Sequence, residues 1–187
     1  MSLPLPDPPL TDGVVRLRPW GALDVDALVA AWEDNEIQKW TRVPEQRRPD
    51  HALRWIAAER LRRDRGLALD LVVAPADPDE PTVFGEVGMV PLAGGPSRAE
   101  MGWWVAAPHR RQGIATRAVG LFAGWLRTEL GFTDLFAEVD PDNPASIWVA
   151  EANNLRLRIR RDRLGENAHG AEQRGEGGAV GNSAGPL

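Results

Sequence analysis

Apolar positions recur along this chain with two periods, that of a strand and that of a helix, in alternation. Residues 101–105 form an apolar and aromatic run of strand length, closed by Pro108, which cannot donate to a ladder. Ala118, Leu121, Phe122, Trp125 and Leu126 then recur at helical spacing and predict a single apolar stripe. Gly131 suits a left-handed helix end, with Phe132 folding back. Between strand and helix stand Arg110, Gly113 and Ala115. Small residues at a helix start leave amide N–H groups open, and with the positive end of the helix dipole they make an anion site. A packing glycine with no ligand satisfies the same pattern.

The alternation extends in both directions. Residues 14–18 read as a strand ended by Pro19, and Asp24 as the N-cap of a helix through Glu33, with Val25, Leu28, Val29 and Trp32 on one face. The pattern breaks over residues 40–44. A second helix starts near Pro49, with Leu53, Trp55, Ile56 and Leu61 as its apolar positions. Residues 67–74 are a continuous apolar strand, with residues 82–92 as its hairpin partner across a turn at 76–81. A turn at 93–98 leads into the strand at 101–105. Residues 135–139 are a further strand, and residues 143–152 a short helix with Ile147, Ala150 and Trp148 inward. Residues 155–159 alternate like a half-exposed strand.

The two ends differ from this. Proline-rich residues 1–13 predict a flexible arm, and the Gly-rich residues 165–187 hold too few large apolar side chains to fold. One domain remains, 14–164, long enough for a full core.

Composition narrows the chemistry. A net charge of −5 gives no nucleic-acid footprint. With no cysteine there is no disulfide, no thiolate metal site and no cysteine acyl-enzyme. The start of the chain lacks the basic region and apolar run of a signal peptide, so a cytoplasmic protein is expected. No stretch approaches the about 18–20 apolar residues of a membrane span. The three histidines, at 51, 109 and 169, are too scattered for a metal cluster.

Four stretches carry a resemblance: LRPW at 17–20, AEMGWWV at 99–105, RRQGIA at 110–115 and DNPASIWVAE at 142–151. In this order and spacing, the chain resembles the GNAT family of N-acetyltransferases, and within it the ribosomal-protein N-terminal alanine and serine acetyltransferases. The resemblance covers about residues 14–155. It implies an α/β (α+β) fold with a central mixed, mostly antiparallel sheet flanked by helices. The usual final strand is not legible after Arg163, where the glycine-rich tail stands.

The resemblance also implies acetyl-CoA as acyl donor, lying where the fourth and fifth strands splay apart. Trp103, Trp104 and Val105 would pair with its pantetheine arm like an added strand. Arg110 and the loop residues Arg111, Gln112, Gly113, Ile114, Ala115 and Thr116 would cradle its pyrophosphate, and Asn143 would bond it near the acetyl end. Asn143–Pro144 reads equally well as a helix N-cap with proline at the first helical position.

Acetyl transfer to an amine needs a base for the nucleophile and a proton for the departing thiolate. Glu86 and Glu100 are the candidate bases. Alternation puts Glu86 on a face with Phe84, Gly88 and Val90, and Glu100 on one with Gly102 and Trp104. A charge among apolar strand neighbours is costly without a partner, which points first to Glu86. The chain has no tyrosine, and Ala150 stands where the family's usual acid would be, so Ser146 is the available hydroxyl. Direct transfer to a primary amine follows, with a protein N-terminus as the acceptor that the resemblance favours. A small amine such as an aminoglycoside or polyamine, or a non-catalytic CoA-binding module, are the rivals. A monomer or homodimer without nucleic-acid or membrane partners is expected.

Overall fold

The computed structural model describes residues 2–160. Six strands lie side by side in chain order: β1 (Val15–Arg18), β2 (Leu69–Pro75), β3 (Gly85–Pro91), β4 (Arg98–Val105), β5 (Asp134–Val139) and β6 (Arg156–Ile159). The first four pair antiparallel; β5 joins β4, and β6 joins β5, in parallel. The sheet is thus mixed and mostly antiparallel, as expected. The strands expected at 14–18, 67–74, 82–92, 101–105, 135–139 and 155–159 all form.

Helices cover both faces. On one side α4 (Ile114–Thr128) and α5 (Pro144–Ala152) pack over Leu69, Leu71, Val73, Val87 and Met101. On the other, α1 (Val25–Glu33), α2 (Asn35–Trp40) and α3 (Pro49–Asp64) pack over Val72, Ala74 and Trp104. Burial on both faces is why β2 reads as an unbroken apolar run. Its exception, Asp70, is held by Arg62 of α3 at 2.9 Å.

Several side chains depart from their predicted places. Leu53 and Leu61 are half exposed, while α3 buries Ala52 and Glu59. Trp148 points outward and Val149 takes the inward place. Asp24 precedes α1 without capping it, because its carboxylate is taken by Arg18 and by the Gly21 amide. Residues 35–40, unassigned between the first helix and the break, form the short helix α2, and the break expected at 40–44 starts at its last residue.

The N-terminal segment lies against the body of the domain. Leu3 is buried, its N–H donates to the Arg63 carbonyl at 3.0 Å, and Leu5 and Leu10 pack on the core. Asp12 closes the segment with a 2.7 Å ion pair to Arg117 on α4. Leucines spaced between the prolines anchor what composition alone marks as loose. The expected tail at 165–187, the domain end at 164 and the missing final strand lie outside the described residues.

β4 and β5 pair over three positions only, Arg98↔Asp134, Ala99↔Leu135 and Glu100↔Phe136. Beyond them β4 continues beside β3, and β5 beside β6. The gap between the diverging strands positions the site.

Candidate active site

The loop between β4 and α4 forms one end of the site. A short 3-10 turn, Ala107–His109, breaks the strand, and the His109 ring rests 4.6 Å from that of Phe84. The chain then passes through two left-handed residues, Arg111 at φ 64° and Gly113 at φ 76°. Gly113 is the N-cap of α4 and, having no side chain, caps nothing. The first amides of a fifteen-residue helix are therefore left to an outside acceptor. A Cβ at position 113 would meet nothing within 4 Å, so glycine serves the backbone angle there and leaves open space beside it.

A cleft of about 710 Å³ opens from this loop. Trp103, Trp104 and Val105 of β4 line one side, Gly113, Ile114, Ala115 and Thr116 the end, and Asn143, Ser146 and Trp148 of α5 the far side. Arg110 and Arg111 also border it. Of the residues predicted to hold the donor, Gln112 stays off the cleft; its Nε2 turns back to the Pro108 carbonyl at 2.9 Å. Helix α2 closes the remaining side with Ile37, Trp40 and Thr41.

A recess of about 60 Å³ continues from the cleft past Trp40, Thr41, Trp103, Asn143 and Ser146, which border both. Glu100, Glu138 and Asp140 line it. Burial raises the Glu100 carboxyl above the usual range, and the charge of Glu138 adds to this, against the opposing pull of Arg158 and Arg160. Glu138 is itself paired with Arg160 at 3.0 Å. Asn143 Oδ1 accepts the Ser146 N–H at 3.1 Å, so Asn143 is the N-cap of α5 as well as a wall of the cleft, and its Nδ2 is the group left to donate.

Glu86 stands elsewhere. It is buried against α1 and α3, accepts from Trp20 Nε1 at 2.7 Å and from Trp104 Nε1 at 3.1 Å, and borders neither cleft nor recess. The structure brings Glu100, Ser146 and Asn143 together and leaves Glu86 behind the β4 wall. Glu138, Asp140 and the α2 wall escaped the sequence reading. Strand alternation puts Glu138 off the face of Ala137 and Val139, and Asp34 before Glu36 and Ile37 is a helix-start signal.

The splayed strands and the uncapped helix start bound one cleft, and a recess lined by three carboxylates adjoins it. Residues 15–156 match the model of the acetyltransferase (GNAT) domain, and the chain belongs to that family. It is an acetyl-CoA-dependent N-acetyltransferase. No curated protein sequence matches it. Among solved structures, a Vibrio cholerae protein described as a ribosomal-protein-serine acetyltransferase superposes with TM-score 0.65 at 21% identity, over 80% of this chain and 84% of the other. Mycobacterium smegmatis RimJ, solved with CoA-disulfide, gives 0.63 at 24%, over 76% and 71%. Spermidine N-acetyltransferase from Vibrio cholerae, solved with CoA and spermine, gives 0.63 at 17%, over 76% and 80%. At these identities the likeness is one of fold. No described helix is long and apolar enough to cross a membrane.

Proposed function

We propose that this enzyme acetylates the α-amino group of a polypeptide, with Glu100 as the base and Ser146 as the proton donor. The recess carries this reading. Three carboxylates, Glu100, Glu138 and Asp140, surround a volume of about 60 Å³. Arg160 also borders it, beside Glu138, and the recess takes the ammonium end of an acceptor. The rest of the acceptor would lie outside it.

Acetyl-CoA supplies the acyl group as a thioester when bound. The open amides after Gly113 would hold its phosphates, and the unpaired edge of β4 from Trp103 to Val105 would accept its extended arm. Glu100 would take the proton of the acceptor ammonium, a task suited to a carboxyl raised by burial. The Ser146 hydroxyl borders cleft and recess alike, where a proton is needed for the departing thiolate.

The acidic lining gives a second reading, a small polyamine entering end-on, the class of acceptor that the spermidine enzyme's name carries. The test is an acceptor panel of peptides with N-terminal serine or alanine, together with spermidine and an aminoglycoside, followed by mass spectrometry. The peptide reading expects acetylation at the peptide α-amine. Turnover of spermidine alone would overturn it.

A further inference from the structure

Arg110 belongs to the stretch that resembles a phosphate-binding loop, yet its side chain is turned to the protein. Its Nη2 lies 2.8 Å from Asp34 Oδ1, and its Nε donates to the Val105 carbonyl at 2.9 Å. Val105 is the last residue of β4, and Asp34 is the N-cap of α2. One guanidinium therefore joins the end of the donor strand, the turn before α4 and the start of the helix across the cleft.

Helix α2 meets this tie at its N-cap. It is six residues long, below the length at which a helix sustains itself, and buries only Ile37. Gln38 Nε2 ties it to the Trp32 carbonyl at 3.0 Å. Its last turn presents Trp40, and Thr41 follows; both border cleft and recess. The position of α2 thus sets the wall shared by donor and acceptor.

We infer that Arg110 is a positioning residue: through Asp34 it fixes α2 to the donor loop, so that a filled loop stiffens the acceptor wall. The inference needs the cleft to hold acetyl-CoA and is independent of which amine accepts. Side-chain exposures of 30% and 16% leave the pair partly screened, and its loss should loosen α2 without unfolding the domain.

The two ends can be cut separately. Asp34→Asn keeps the oxygen that takes the Glu36 and Ile37 amides and the Arg110 Nη2, so the cap and a neutral hydrogen bond survive while the ion pair goes. Arg110→Met keeps the length and removes the donors. Hydrogen exchange of the α2 amides, with and without saturating acetyl-CoA, reads the effect. In the unaltered protein acetyl-CoA should slow α2 exchange. In Arg110→Met exchange should quicken by about five- to tenfold and the slowing should vanish, in Asp34→Asn both effects should be smaller, and the double variant should match Arg110→Met. Unchanged α2 exchange would overturn the inference. So would a tenfold loss of acetyl-CoA affinity, by calorimetry, in Arg110→Met alone, which would make Arg110 a donor ligand. Failure of all forms to bind acetyl-CoA would instead strike the assignment of the cleft.

Discussion

Glu86 and Trp104 face one another across the β3–β4 ladder, and the indole N–H of Trp104 donates to Glu86 Oε1 at 3.1 Å. The other oxygen takes the N–H of Trp20, so a buried carboxyl pins two tryptophans beneath the α1–α3 layer. Burial pushes this carboxyl well above its usual range, the nearby Asp70 charge adds to that, and the two indole bonds only partly oppose it. We propose a structural role for this acid. Glu86→Gln turns an amide NH₂ toward an indole N–H and should cost about 1–3 kcal/mol of stability by urea unfolding. The pH dependence of turnover should be unmoved. Loss of its acid limb would return Glu86 to the role of base.

Glu100→Gln should behave in the opposite way. A base must be deprotonated, and a carboxyl raised above 4.5 places the rise of activity with pH above the ordinary glutamate range. The substitution should lower kcat by roughly 10²–10⁴ and abolish that rise, with acetyl-CoA affinity and stability retained. A pH–rate profile beside calorimetry checks both halves.

Gly113 separates backbone from charge. Alanine at φ 76° costs roughly 1–2 kcal/mol of conformational energy, while its Cβ has open space, so Gly113→Ala should fold and bind acetyl-CoA somewhat less tightly. Gly113→Asp adds a negative charge facing phosphates, worth several kcal/mol, and should weaken binding by about a hundredfold or more. Equal affinities for the two variants would remove the phosphates from this loop.

Asp70 bears on stability. Burial, the largest influence, lifts its carboxyl from 3.8 to about 6 despite the Arg62 charge beside it. The folded state therefore holds this proton more tightly than the unfolded chain. The contribution is complete below 3.8, is lost as pH rises toward about 6, and stays lost above it. Asp70→Asn removes the titration. The stability of the unaltered protein relative to the variant should fall as pH rises through that window, read from urea midpoints at successive pH values.

The site was legible where one residue type answers one physical need. Gly113 could be read because few other residues accept its backbone angle before a helix, and α4 because its stripe repeats over fifteen residues. Six residues with one buried side chain give no such period, and α2 passed unseen. In α3 Trp55 and Ile56 pack inward as read, but the fully buried positions are Ala52 and the polar Glu59, and Leu53 and Leu61 point outward. Glu86 is, as read, a charge among buried strand neighbours, a pattern that serves a base and a buried tether alike. The difference lies in two indoles, Trp20 being 66 positions away.

The strands stand in the sheet in the order in which the chain is synthesised. β1 to β4 meet through antiparallel neighbours, such as Val87 with Trp103. The β4–β5 junction is parallel, joins Glu100 to Phe136, 36 positions apart by subtraction, and rests on three residue pairs. Closing a longer loop costs more entropy, and here few ladder contacts repay it. The short seam that opens a cleft is therefore also the join held by the fewest residue pairs, and a molecule bridging it binds the native fold at its thinnest point.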